Sequence, residues 1–314
     1  MLRRIALISS LVLATSTAVV ATPAARASHG ALDRGQRSWM SPDANPKHAW
    51  LYVAGDHDNT VWVYDIGGPA TRLIGTITNG VSLPGGIALD AQGDLYVPNE
   101  NAATVTVYAP GATMPTLTLT GTNVPQCVAV ASDGTVYVAN RGSSAGISVY
   151  PAGQSTPSQN ITSSLLPNPN QIVFDPGGTL YISDTQTGIS ILPPGPSQTV
   201  TSLNLQNLPS TPSGVTIDPS NGDVYVSTAL QSNNQVSLYP AGQQTPSKIK
   251  KVPFGGLDFL AFGQLRGHDS VFVPDAGGNM VWVLKPSLRG APGMIGTKSG
   301  TLATSVAFKP AGIP

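Results

Sequence analysis

The chain has 314 residues, of which 34 Gly and 28 Pro make about a fifth, while only 16 are basic and 16 acidic. Soluble domains ordinarily carry about a quarter charged residues, so neutral polar and turn residues must cover this surface; long helical bundles and coiled coils are excluded. A formal net charge of zero gives no electrostatic hold on nucleic acid.

Residues 1–27 read as a secretory signal. Arg3 and Arg4 lead an apolar stretch from Ile5 to Ala21, and Ala25-Arg26-Ala27 offers a small-x-small cleavage site. Ser9, Ser10, Thr15, Ser16 and Thr17 interrupt the stretch, which argues against a membrane anchor. Cleavage leaves 13 basic residues against 16 acidic ones, and a secreted or periplasmic protein is expected, free of the membrane once processed. Cys127 is the sole cysteine, so no intrachain disulfide is possible and stability must come from the fold. Residues 28–48 read as a polar N-terminal arm whose placement the sequence leaves open.

From residue 49 onward a repeat dominates. Gly86-Ile-Ala-Leu-Asp-Ala-Gln-Gly-Asp-Leu-Tyr-Val97 recurs at Cys127–Val138, at Gln171–Ile182 and, one residue longer, at Gly214–Val226. The aromatic of the second strand falls at Tyr52, Tyr96, Tyr137, Tyr181, Tyr225 and Phe272, spacings of 44, 41, 44, 44 and 47 residues that count six units. Each unit predicts four strands: an inner run apolar at nearly every position, a D-x-x-G-like turn to a second strand, an alternating third strand, and a Pro/Gly turn to a Thr/Ser-rich fourth. Four short strands per repeat predict an all-β propeller of six four-stranded blades over residues 49–314. The first unit begins at its second strand, Trp50 to Ala54, whereas Ser305-Val-Ala-Phe-Lys309 matches an inner strand with nothing after it. The C-terminal strand should therefore complete the first blade and lock the ring.

The pattern P-x-G-I-A-L-D…G-x-L-Y-V-x-N…N-x-x-V-x-V-Y from Pro84 to Tyr108 resembles the NHL repeat, and residues 49–309 resemble a six-bladed NHL-type propeller. Proteins of that kind include binding scaffolds as well as lyases and lactonases, so the resemblance implies a fold and leaves activity open. It implies that loops before the inner strands and between second and third strands share one face. The positions just before the inner strands include Gln126, Asn170, Ser213, Asp258 and Thr304, a ring around the channel mouth, with Arg141 and Glu100 beside it. These are the expected ligand-binding residues, suited to a small polar ligand, a peptide or a protein partner. Asn99, Asn140, Asp184 and Asp275 hold equivalent repeat positions, where capping of turns accounts for them.

No cofactor is required by the sequence; a divalent cation, calcium or magnesium, would fall on Asp258, Asn170, Asp56 and Asp58. Gluconolactonase-like propellers place Asn and Asp before inner strands to hold a metal, at positions comparable to Asn170 and Asp258. Lyase-like relatives use a His base beside a metal-bound Glu, for which only His57 and Glu100 stand on the appropriate face. Gly142-Ser-Ser-Ala-Gly146 matches G-x-S-x-G but joins two strands, which denies the strand-to-helix turn that motif needs. Lys248, Lys250 and Lys251 fall on an outermost strand, where charge guards a sheet edge. The expectation is thus a monomeric, secreted binding propeller without catalytic residues, with a metal-dependent lactonase or lyase at the channel mouth as its rival. Sequencing of the exported protein's N-terminus should begin near Ser28; a start at Met1 would refute the signal reading.

Overall fold

The structure is a computed structural model that describes residues 37–195, 198–208, 212–228, 234–252, 256, 259–297 and 302–310, all within one compact unit, Asp33–Pro314. The expected signal segment lies outside the described residues. The described residues form six antiparallel sheets arranged as propeller blades. Blade 1 comprises β1 (Trp39–Met40), β2 (Trp50–Gly55), β3 (Thr60–Asp65) and β4 (Arg72–Ile77), together with β25 (Ala303–Lys309). Blade 2 is β5 (Ala88–Leu89), β6 (Leu95–Asn99), β7 (Thr104–Tyr108) and β8 (Leu117–Leu119). Blade 3 is β9 (Pro125–Val130), β10 (Val136–Asn140), β11 (Gly146–Tyr150) and β12 (Gln159–Ile161). Blade 4 is β13 (Pro169–Phe174), β14 (Leu180–Asp184), β15 (Gly188–Leu192) and β16 (Thr201–Ser202). Blade 5 is β17 (Pro212–Ile217), β18 (Val224–Thr228), β19 (Gln235–Tyr239) and β20 (Lys248–Lys251). Blade 6 is β21 (Ala261–Leu265), β22 (His268–Asp275), β23 (Met280–Leu284) and β24 (Gly293–Gly296).

The ring closes as the sequence requires. β25 pairs with β2 in the register Tyr52↔Ala307 and Val53↔Val306, so the chain's last strand is the innermost strand of its first blade. Val306 and Ala307 are buried there. At the end of β25 the Lys309 side chain turns outward: its Nζ lies 4.6 Å from the Trp50 ring centroid and donates to the Pro46 carbonyl at 2.6 Å. The arm is not loose in this region. β1 adds a fifth, outer strand to blade 1, with Trp39 opposite Thr76 and Met40 opposite Gly75, where the absence of a side chain admits the Met40 sulfur. His48 Nδ1 sits 2.8 Å from Asp65 Oδ2, tying the arm to β3.

Two local features of blades 3 and 6 bear on the residues singled out from sequence. His268 opens β22, because Arg266 and Gly267 alone make the turn after β21. Gly142–Ser144 is one 3-10 turn between antiparallel β10 and β11, so the G-x-S-x-G match is a hairpin connection.

Blades are held together by apolar packing and by a repeated polar staple. Ile87, Leu95 and Val97 of blade 2 pack with Tyr52, Val61 and Val63 of blade 1, and similar buried clusters fill the other gaps. Fully burying each such aliphatic side chain contributes ~1.5–3 kcal/mol. The last residue of the third strand adds the staple: Tyr108 donates to Asn79 O at 2.6 Å, Tyr150 to Thr120 O at 2.9 Å and Tyr239 to Gln206 O at 2.9 Å. Each carbonyl belongs to the segment leaving the preceding blade's fourth strand. The recurrent Tyr-Pro-Ala-Gly of blades 3 and 5 is therefore an interblade bond as well as a turn.

Removing one staple, as in Tyr150→Phe, should cost about 1 kcal/mol in chemical denaturation. Burial raises the hydroxyls of Tyr150 and Tyr239 from the ordinary 10 to about 12. These groups stay protonated in the fold while the unfolded chain ionises from pH 10 upward, so stability should hold below pH 10 and fall between about 10 and 12. Alkaline unfolding monitored by tyrosinate absorbance checks this; ionisation near pH 10 with the fold intact would contradict it.

Candidate functional site

Four inner strands carry the same irregularity near their first residues. In β9, β13, β17 and β25 the ladder to the second strand skips one inner-strand residue, between partners such as Asn140↔Pro125 and Ala139↔Cys127, or Gly55↔Ala303 and Ala54↔Ser305. A bulge of this kind re-aims side chains at a barrel rim. The extra residue is Gln126 in blade 3, Ser213 in blade 5 and Thr304 in blade 1, and lies within Asn170-Gln171 in blade 4. The ring of polar positions thus sits inside the strands, at a bulge, rather than in the loops before them. In blades 3, 4 and 5 the residue before the ring position is proline, and each of these pairs with the end of the second strand: Pro125 with Asn140, Pro169 with Asp184, Pro212 with Thr228.

A cavity of about 160 Å³ opens at this end of the axis, lined by Asp56, Pro84, Gly85, Glu100, Gln126, Arg141, Asn170, Phe259 and Thr304. Of the residues singled out from sequence, it gathers Glu100, Gln126, Arg141, Asn170, Thr304 and Asp56. Ser213 is absent from its wall: the hydroxyl faces into blade 5, 3.2 Å from Ser227 Oγ. Asp58 turns away as well, accepting the Trp62 indole N–H at 3.0 Å. Asp258 lies outside the described residues. His57 is exposed, 3.9 Å from Asp56 Oδ1. Phe259 was not foreseen, since the repeat position of Asp258 drew attention to its neighbour; its place one residue past Asp258, aligned in the repeat with Cys127 and Gln171, is the signal that locates it.

Polar atoms in the wall are unevenly satisfied. Arg141 Nη2 donates to Asn170 Oδ1, and Asn170 Nδ2 donates to Ser213 O, so both ends of the Asn170 amide are engaged. Thr304 Oγ1 donates to Ala54 O at 3.3 Å. Gln126 is different: 3% exposed, its Nε2 is buried with no hydrogen-bond partner. A buried amide donor left unmade costs ~1–3 kcal/mol. Among the described residues no three His, Cys, Asp or Glu side chains converge on one point.

Asn99, Asn140, Asp184 and Asp275 are all buried and all serve loops. Asn99 Oδ1 accepts from Ser82 N at 2.9 Å, Asn140 Oδ1 from Asn123 N at 3.0 Å, Asp184 Oδ2 from Asn168 N at 2.7 Å, and Asp275 Oδ1 from Gly277 N at 3.0 Å. The first three clamp the segment entering the inner strand, so they aim the site without touching it. Two of those segments, and the corresponding one of blade 1, are strained: Leu83, Val124 and Leu302, on the approaches to the inner strands of blades 2, 3 and 1, have φ of 51°, 45° and 40°. Left-handed backbone at β-branched or bulky residues is rare and concentrates at ligand sites.

Below the cavity the inner strands are bonded to one another. Gly86 N donates to Gln126 O at 2.6 Å and Val128 N to Gly86 O at 3.1 Å, an approach so close that a Cβ on Gly86 would lie 2.6 Å from the Cys127 sulfur. Gln171 spans three blades, its Oε1 accepting from Val215 N at 2.9 Å and Leu260 N at 2.8 Å while Nε2 donates to Leu260 O at 2.6 Å. Ser305 Oγ donates to Gly85 O at 2.8 Å and accepts from Ile87 N. Burial pushes the Cys127 thiol up to about 12, so it is a packing group and not a nucleophile.

This architecture defines a six-bladed β-propeller with a polar cavity at one axial mouth. No family model and no curated protein sequence matches the chain. Among solved structures, 1154 chains match. One, from the crystal structure of a nidogen/laminin complex, superposes with a TM-score of 0.66 at 15% identity, covering 83% of this chain and 98% of that one. At such identity the likeness carries the fold alone.

Relieving the strain at the rim should stabilise the protein. Val124→Asn, which tolerates φ near 45°, is expected to raise stability by about 1 kcal/mol in chemical denaturation; unchanged or lower stability would show that the conformation is unstrained.

Proposed function

We propose that this chain is an exported, monomeric binding module of the NHL type, which takes a small polar ligand, or a polar side chain of a partner, into the cavity at the Gln126 mouth. The observation that carries the reading is the Gln126 Nε2 group, buried in the cavity wall without an acceptor. A fold tolerates such a group where a ligand supplies the missing bond. Gln126, Arg141, Asp56 and Glu100 line one small space, a polar wall that suits a polar ligand.

The rival, a metal-dependent lactonase or lyase, draws on Asp56 and Glu100 lining the same cavity. Against it, the Asn170 oxygen that would ligate a cation is engaged by the Arg141 guanidinium, and Asp58 is committed to Trp62. A thermal-shift screen of sugars, polyols, amino acids and short carboxylates tests the proposal. A hit should lose at least about tenfold in affinity in Gln126→Leu, while the stability of the unliganded variant is unchanged or raised, because an unmade buried bond has been removed. Equal binding by wild type and Gln126→Leu would overturn the site. A stoichiometric divalent ion retained through dialysis would overturn the non-catalytic reading.

A further inference from the structure

The inner strands run from the polar cavity to a second, chemically opposite opening at the other axial mouth. All six inner strands contribute to an apolar well of about 340 Å³, walled by Leu89, Val130, Phe174, Ile217, Phe262 and Phe308. The walls are filled with side chains but the well is open, and five of these six residues keep part of their surface exposed. Its volume is that of a small-molecule site, and apolar side chains supply much of a lining that also exposes backbone polar groups. The bonds of Gln171 and Ser305 lie between it and the polar cavity, and the two openings share no lining residue.

What the well would hold follows from the charge at its rim. Asp90, Asp133, Asp175 and Asp218 stand in the first-to-second-strand turns of blades 2 to 5, directly after or within three residues of the wall residues of their strands. In Asp133, Asp175 and Asp218 the hydrogen bonds made by the turn all fall on Oδ1: from Thr135 N, Thr179 N and Ser220 N respectively. Of these carboxylates Asp133 is exposed, Asp175 half-buried and Asp218 buried, so the rim charge reaches solvent chiefly through the first two. Positive groups lie elsewhere on this face. Arg266 and His268 belong to blade 6, and the Lys309 ammonium of blade 1 is turned away onto Pro46 O. Tyr225 feels the same field, its hydroxyl held up by burial first and then by Asp218, Asp223 and Asp269.

We infer that this second mouth binds an amphiphilic organic cation, its apolar tail in the well and its positive head over the arc of aspartates. An anionic membrane surface is disfavoured by the same arc. The reading does not rest on the Gln126 cavity and survives its failure.

Calorimetric titration with dodecyltrimethylammonium below its micelle concentration tests it, with dodecyl sulfate as the anionic control. One saturable site per chain with a negative heat-capacity change is expected, and weaker binding at high salt. Ala88→Phe, which fills the well from blade 2, should reduce affinity at least about tenfold. Should that variant fail to melt cooperatively, Ala261→Leu fills it from blade 6 and should act likewise. Asp175→Asn with Asp218→Asn, which keeps the turn acceptors, should weaken the cation about tenfold and leave dodecyl sulfate unchanged. Equal affinity for both detergents would sink the charge argument, and unaltered binding in a folded well-filling variant would sink the site.

Discussion

The pairing of β25 with β2 is the constraint on which every other feature rests. Without it the blades are an open solenoid with two bare sheet edges, and neither axial mouth exists. The ladder runs from Trp50↔Lys309 to Gly55↔Ala303, so the same strand that seals the ring delivers Ser305 to the throat and Thr304 to the polar cavity. Its end is held by a cation over an indole and by a carbonyl from the arm, contacts available only once both chain ends have met. Closure and site formation are thus one event. The entropy cost of joining ends so far apart in sequence grows only slowly with loop length, which is why a long repeat can be sealed by one short strand.

Closure also explains why the two mouths differ. Six inner strands converge on an axis too narrow for backbone to be solvated, so their amides and carbonyls must find partners in neighbouring blades. Glycines at 85 and 86, the Gln171 amide and the Ser305 hydroxyl meet that demand. Above this plane, bulges in four of the inner strands interrupt the ladder, and Gln126, Asn170 and Thr304 at three of them line the mouth. Below it, regular strand geometry continues and the apolar alternation of a buried strand lines the opening. Polarity along the axis is therefore a result of where the bulge falls.

The repeat made much of this legible in advance. Spacing of the second-strand aromatics gave six blades, the orphan Val306-Ala307-Phe308 segment gave the seal, and equivalent positions gave Gln126, Asn170 and Thr304 as neighbours around one axis. Other assignments failed for local reasons. Ser213 occupies the same repeat position, yet Ser227 across the ladder offers a hydroxyl partner that turns it inward. Asp58 looks like half of a carboxylate pair, but a tryptophan four residues on takes its oxygen. The two-residue strand Trp39–Met40 had no repeat counterpart, so nothing in the pattern announced a fifth strand.

Periodic apolar runs and turn residues act within a few positions of one another, and these fixed blade number, strand order and the meeting of the chain ends. Which polar atoms are spent on backbone and which remain for a ligand is decided between residues far apart in sequence, as Gln171 and Leu260, 89 positions apart, show. Gln171 and Gln126 sit one repeat position apart with the same side chain; only the packed ring gives the first three backbone partners and leaves the amide nitrogen of the second with none.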